Sequence, residues 1–88
     1  MDINKEIITA LKKAQSHLGR VIRMVEDKEY CISIIQQNLA VIGLLKSANI
    51  KLMERHLNSC FAGAMQGTNE RKKQAMIGEI LSISKMQR

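Results

Sequence analysis

The middle of this chain contains nothing that would end a helix. From Glu29 to about Met65 there is no proline and no cluster of turn-forming residues. Apolar residues recur there at steps of three and four, which predicts an amphipathic α-helix. It would hold about 30 residues or more, far above the usual length. Because the whole chain has 88 residues, its other segments cannot cover such a helix, and we expect it to pair with a second copy. The apolar positions are Ile32, Ile35, Leu39, Ile42, Leu45, Ile50, Met53 and Leu57.

Two shorter helices are predicted on either side, at about Lys5–Glu26 and Glu70–Lys85, where the same apolar spacing recurs. Asp27 is expected to cap the start of the central helix, and Thr68 or Asn69 the start of the last one. One Tyr, one Phe and no Trp leave few of the aromatic residues that strands favour. We therefore predict one all-α domain over residues 1–88, a three-helix protomer with one long central helix.

The chain is basic, with 14 Lys and Arg against 8 Asp and Glu and a formal net charge of +6. This excess suits a polyanion such as nucleic acid, although a solvated charged face would have the same composition. No basic segment followed by an apolar run marks a signal peptide, and no apolar stretch approaches the roughly 20 residues that span a membrane. We expect a cytoplasmic protein with no membrane partner, whose two cysteines bind metal or react rather than form a structural disulfide.

Three of the four Cys and His residues form a pattern. His56 and Cys60 stand four residues apart on the central helix and share a face. Cys31 lies 29 residues before Cys60, or roughly 43 Å along one straight helix. Cys31 can join the other two only if two copies of the helix pack antiparallel. Two-fold symmetry would then produce two such sites per dimer.

Two thiolates and one imidazole are a soft, three-coordinate set that favours Cu(I), whereas structural zinc usually takes four protein ligands. The simpler alternative is that each cysteine is a small buried apolar residue. His17 belongs to the first helix, and we interpret it as a surface or packing residue.

At these positions the sequence resembles the copper-sensitive operon repressor (CsoR/RcnR) family of bacterial regulators. The resemblance runs from about Leu11 to Leu81. Its most specific feature is a Tyr-Cys pair followed, 25 residues after the cysteine, by His-x-x-x-Cys. The segments that carry it are Arg23-Met24-Val25-Glu26, Tyr30-Cys31, His56-Leu57-Asn58-Ser59-Cys60-Phe61 and Gln74-Ala75-Met76-Ile77-Gly78-Glu79.

The resemblance implies an antiparallel dimer that forms a four-helix bundle, with dimers paired into a flat homotetramer. It further implies a repressor that releases double-stranded operator DNA when Cu(I) binds. Cys31, His56 and Cys60 match the copper ligands of the family. Tyr30 and Glu79 match residues hydrogen-bonded to the histidine ligand, which would fix its tautomer.

Related sensors differ at these positions. Nickel and cobalt sensors carry histidine where Cys60 stands, formaldehyde sensors lack the second cysteine, and persulfide sensors usually lack the histidine. Two basic positions of the family fall near Ala10 and Ser47 here, and other cations of this chain could replace that charge. The candidate DNA-binding residues are Lys12, Lys13, Arg20, Arg23, Lys46 and Lys51.

The sequence thus predicts a Cu(I)-responsive transcriptional repressor. Two alternatives remain open at this point. One is a persulfide- or other thiol-responsive repressor of the same family, and the other is a helical oligomer with no regulatory role. No Ser/His/Asp set, phosphate loop or paired-carboxylate cleft suggests an enzyme.

Overall fold

The computed structural model describes residues 2–86, and the regular structure in that range is helical throughout. The helical backbone continues without a break through the 36 residues Cys31–Gln66. This confirms the predicted all-α protomer with one long central helix. The elements are α1 (Ile3–Glu26), α2 (Cys31–His56), a π-helical turn (Leu57–Phe61), α3 (Ala62–Gln66) and α4 (Glu70–Met86).

Helix α1 ends in a Schellman motif, not at a simple boundary. The Glu29 N–H donates to the Met24 carbonyl at 3.0 Å, and the Lys28 N–H donates to the Val25 carbonyl at 3.1 Å. These bonds satisfy carbonyls that the helix end leaves without partners. They also make Asp27 the C-cap of α1. The prediction that Asp27 starts the next helix is therefore wrong, and α2 begins four residues later.

Helix α4 begins at one of the two predicted caps. The Asn69 side-chain oxygen accepts a hydrogen bond from the Lys72 N–H at 3.1 Å. The Asn69 carbonyl also accepts from the Lys73 N–H at 3.2 Å, the first backbone bond of the helix. An Asn side chain at this position satisfies a donor that a bare helix start leaves open.

The described residues divide into two compact units, one running to Met53 and the other beginning at Glu54. In the first unit α1 packs antiparallel on the first part of α2. The His17 Nε2 and Gln37 Oε1 atoms lie 2.9 Å apart, which confirms His17 as a packing residue. The buried seam consists of small and medium side chains, which let the two helices approach closely. Its members are Ile7, Ala10, Ala14, Val21, Val41 and Ala48.

A second apolar face of α2 has no cover within the described chain. Five large side chains recur on it at helical spacing, each between 41 and 61% exposed. By length and composition alone, the stretch Cys31–Gln66 is apolar enough to cross a membrane. The expectation that no segment would be is wrong on this measure, because α2 carries apolar residues on two faces. The outer apolar face consists of Ile32, Ile35, Leu39, Ile42 and Ile50.

In the second unit, α3 contacts both the π turn and α4. Ala64 on α3 is the buried residue of this unit, with 8% of its surface exposed. A small side chain there allows the short helix to lie close to its neighbour.

Replacing Lys28 tests the chain reversal after α1. Its φ of 56° lies in the left-handed region, where a side chain is strained and glycine is favoured. We expect Lys28→Gly to raise the free energy of unfolding by about 0.5–1 kcal/mol, because glycine relieves the left-handed strain. The gain is smaller than the strain itself, because glycine also makes the unfolded chain more flexible. Chemical denaturation at one protein concentration measures this. Lys28→Ala removes the same charge but keeps Cβ, so an equal gain from that variant would contradict the backbone explanation.

Candidate functional site

The three predicted copper ligands lie at the two ends of the central helix. Cys31 is the first residue of α2, and its thiol is free and exposed. His56 is the last residue of α2 and is half-buried. Cys60 lies inside the π turn, and its thiol is also free and exposed. In the single chain neither thiol is buried, in contrast to the alternative of inert, buried cysteines.

The backbone that follows His56 and contains Cys60 forms a π turn and not a regular α-helical turn. The Ala62 N–H bonds to the Leu57 carbonyl, five residues back instead of four, and also to the Ser59 carbonyl. His56 directly precedes this turn and Cys60 lies within it, so the pair is still carried on successive turns of one continuous helix. Single π turns inside α-helices are rare and are often found at functional sites. The sequence predicted a plain α-helix here, because apolar spacing does not reveal the hydrogen-bond register.

Ser59 makes the side-chain hydrogen bonds of the π turn. Its Oγ lies 2.6 Å from the Arg55 carbonyl oxygen, to which it donates. The same Oγ lies 3.8 Å from the Cys60 Sγ. Serine bonding back to the carbonyl four residues earlier often bends a helix. Sequence reasoning assigned Ser59 no role, since a serine before a cysteine is a weak signal.

A single chain does not complete the predicted site. Among residues 2–86, no group of three or more His, Cys, Asp or Glu side chains comes together to hold a metal ion. Tyr30 immediately precedes α2 and is 72% exposed, and Glu79 is exposed on α4. The donor set nonetheless fits Cu(I), because two accessible thiols and an imidazole are ligands of the soft type.

Four of the six candidate DNA-binding residues line one depression, which we call the basic groove. It has a volume of about 630 Å³ and lies between α1 and α2. No carboxylate lines it, although Asp27 and Glu29 line an adjoining depression with Arg20 and Arg23. Thr9 and His17 are additions that sequence reasoning missed, although their spacing from Lys13 and Arg20 is helical. The lining residues are Thr9, Lys12, Lys13, Ser16, His17, Arg20, Arg23 and Leu44.

The other two candidates lie outside the basic groove. Lys51 lines a neighbouring depression of about 350 Å³ together with Lys5 and Lys13. Lys46 is exposed on α2, and its helical spacing places it in the row of Ile42 and Ile50. The two depressions together hold five lysine and arginine side chains on or beside α1, plus Lys51 from α2.

Several known proteins are similar to this chain in sequence. The sequence pattern of the family described as "Metal-sensitive transcriptional repressor" matches residues 3–86. The copper-sensing transcriptional repressor CsoR of Mycobacterium ulcerans is 33% identical over 84 residues, which are 96% of this chain and 69% of that protein. CsoR of Mycobacterium tuberculosis H37Rv is 34% identical over 58 residues, which are 66% of this chain and about half, 49%, of that protein.

A solved structure shares the fold. The copper-sensing repressor CsoR with Cu(I) from Geobacillus thermodenitrificans matches with a TM-score of 0.78 at 32% sequence identity. The match covers 93% of this chain and 82% of that one. The three-helix protomer with its long central helix is therefore the architecture of a known repressor.

Proposed function

This chain belongs to the metal-sensitive transcriptional repressor family, and from that premise we propose that it is a Cu(I)-responsive repressor. Its role is regulatory and not enzymatic, since the family consists of transcriptional repressors. The choice of metal rests on one observation: the chain has a ligand residue at all three positions, Cys31, His56 and Cys60. The first residue of α2 carries a free thiol, its last residue carries an imidazole, and a second free thiol lies in the π turn that follows.

Ligand chemistry supports copper over zinc. Cys31 and Cys60 are soft sulfur donors, and together with His56 they make a set of three, one short of the four that structural zinc usually takes. Bound Cu(I) would supply a soft cation that accepts this low coordination number. The similar proteins described above are named as copper-sensing, and one of them was solved with Cu(I).

The outer apolar face of α2 supports a site shared between two chains. Antiparallel pairing of two copies would cover Leu39, Ile42 and their neighbours, which is a favourable burial of apolar surface. The same pairing brings Cys31 of one copy beside His56 and Cys60 of the other. Each dimer would therefore hold two sites related by two-fold symmetry.

A second exposed apolar row favours further assembly. Large side chains of α1 remain between 42 and 57% exposed in the single chain. Pairing of two dimers into a homotetramer would cover such a surface. The row consists of Ile8, Leu11, Leu18, Ile22 and Val25.

Tyr30 and Glu79 are proposed to orient the imidazole. Tyr30 is adjacent to Cys31 in sequence. An antiparallel partner that brings its Cys31 to His56 of this chain would therefore bring its Tyr30 there as well. A phenol or carboxylate on the imidazole nitrogen that does not bind metal fixes the tautomer of His56 and strengthens it as a ligand. Both side chains are exposed and accessible to such contacts.

The basic groove is proposed to bind the phosphates of double-stranded operator DNA, with Lys51 and Lys46 adding charge nearby. Arg and Lys contacts to phosphate position a protein on DNA without reading sequence. Because such binding releases counterions, affinity must fall steeply with salt. A repressor that binds operator DNA works in the cytoplasm.

Regulation requires that Cu(I) bind more tightly to the conformation with low DNA affinity. The coupling is reciprocal, so operator DNA must weaken Cu(I) binding by the same factor, and such coupling is usually about 1–3 kcal/mol. In this chain α2 is the element that both sites share, since it contributes Leu44 to the basic groove and carries two of the proposed ligands, Cys31 and His56.

The exposure of both thiols favours one alternative inducer. In a persulfide-responsive repressor of the same family, a persulfide donor would pass its outer sulfur to one thiol and leave as a thiol. The thiol of the second chain would then displace hydrogen sulfide to form a Cys31–Cys60 disulfide, and both thiols are free and accessible. His56 distinguishes the two functions, because sulfur transfer between cysteines does not need an imidazole ligand.

Anaerobic titration with Cu(I) tests the proposed metal site. We expect one Cu(I) per chain and release of an operator fragment at the same endpoint. His56→Ala should weaken Cu(I) binding by more than the roughly 10–100-fold that follows loss of an outer hydrogen-bond partner. His17→Ala is the matched control and should leave Cu(I) affinity unchanged. Full copper-driven release in His56→Ala, together with full release by persulfide donors, would contradict the copper function.

Replacing groove cations tests the DNA-binding surface. Arg20→Ala or Arg23→Ala should weaken binding of the metal-free protein uniformly across DNA sequences, and should reduce the slope of log affinity against log salt by about 1 each. Fluorescence anisotropy at several salt concentrations measures both. Arg71→Ala, which removes an exposed arginine of α4, is the control. Equal effects from Arg71→Ala would show that the basic groove is not the contact surface.

A further inference from the structure

We propose that Ser59 is a positioning residue for Cys60, whose hydroxyl holds the sulfur for a thiophilic cation and so sets the affinity of the site. The inference rests on the proposed metal function and adds a residue to it. Ser59 and Cys60 both lie within the five residues of the π turn. The Ser59 hydroxyl and the Cys60 sulfur are therefore carried by the same turn of backbone.

The Ser59 hydroxyl has one proton and two acceptors within reach. Its Oγ is 2.6 Å from the Arg55 carbonyl oxygen and 3.8 Å from the Cys60 Sγ. The hydroxyl donates its single proton to one acceptor at a time. While it donates to the Arg55 carbonyl, its lone pairs can accept from the protonated Cys60 thiol, and rotation would turn the proton to the sulfur once the thiol is deprotonated. In the metal-free chain the short bond to Arg55 holds Oγ beside the sulfur.

A second serine in the chain shows what the back-bond does by itself. The Ser84 Oγ donates to the Ile80 carbonyl at 3.0 Å, the same four-residue relation, within regular α-helix α4. The back-bond alone therefore does not produce a π turn. Ser59 differs in lying inside the π turn and next to a proposed ligand sulfur. This difference points to a role at the sulfur in addition to local helix geometry.

The expected effect follows from the position of the hydroxyl outside the ligand shell. A hydrogen bond to a ligand atom orients that ligand and stabilises its metal-bound form, and loss of such a partner typically lowers metal affinity by about 10–100-fold. In Ser59→Ala, the Cys60 side chain would lose both a hydrogen-bond partner and the anchored group beside it. Ser59→Thr keeps the hydroxyl and should retain most of the affinity.

The test compares Ser59→Ala, Ser59→Thr and Ser84→Ala in the full chain. Competition with a chromophoric Cu(I) chelator under anaerobic conditions measures affinity, and should show a loss of about 10–100-fold for Ser59→Ala alone. Amide hydrogen exchange in the metal-free protein gives a second readout. Protection of the Ala62 N–H, which closes the π turn onto Leu57, should change in Ser59→Ala and remain as in the parent in Ser59→Thr.

Two outcomes distinguish a failure of the proposed role of Ser59 from a failure of the proposed Cu(I) function. If the parent binds Cu(I) with a clear dependence on His56, and Ser59→Ala binds it as tightly as Ser84→Ala does, the role of Ser59 is overturned and the metal site stands. If the parent itself shows no Cu(I) binding that depends on His56 and Cys60, the proposed function and this inference are both overturned.

Discussion

The rest of the molecule depends on the two apolar faces of its central helix. One face packs on α1 through small side chains such as Ala14 and Ala48, which are 3 and 1% exposed. The other face has no cover in the described chain, and side chains such as Leu39 and Ile50 are about 60% exposed there, at 59 and 61%. Burial of apolar surface is the main favourable term in folding and association. A helix of this kind favours assembly with a second copy, and its length determines which residues that assembly brings together.

The same constraint explains how the proposed ligands are distributed. Cys31 and His56 are the first and last residues of α2, so a single straight helix keeps them apart, whereas an antiparallel partner places one beside the other. Metal binding would then depend on how two copies of α2 pair. Because α2 also contributes to the basic groove through Leu44, a change in pairing would have a direct route to the proposed DNA-binding surface. Sensing and DNA binding would be two consequences of one helix packing.

Apolar spacing predicted much of this fold, because burial of one helix face repeats every three to four residues. It placed all three long segments within a few residues of their observed bounds. It could not predict the role of Asp27, since the reversal after α1 depends on backbone bonds and on Lys28 in a left-handed conformation. The π turn was missed for a similar reason, as hydrogen-bond register leaves little trace in side-chain type. For the proposed site, residue chemistry predicted Cys31 and Cys60 as ligands, and only an assembly of chains would join them.

Mixing two inactive variants tests the shared site most directly. Cys31→Ala and Cys60→Ala each remove one ligand from every site, so neither alone should bind Cu(I) at parental affinity. After unfolding and refolding together at equal amounts, half of the dimers are mixed, and each mixed dimer contains one intact site. The account predicts recovery of about a quarter of the parental high-affinity Cu(I) capacity, by the two-fold symmetry of the pairing. No recovery in the mixture, or parental binding by either variant alone, would contradict it.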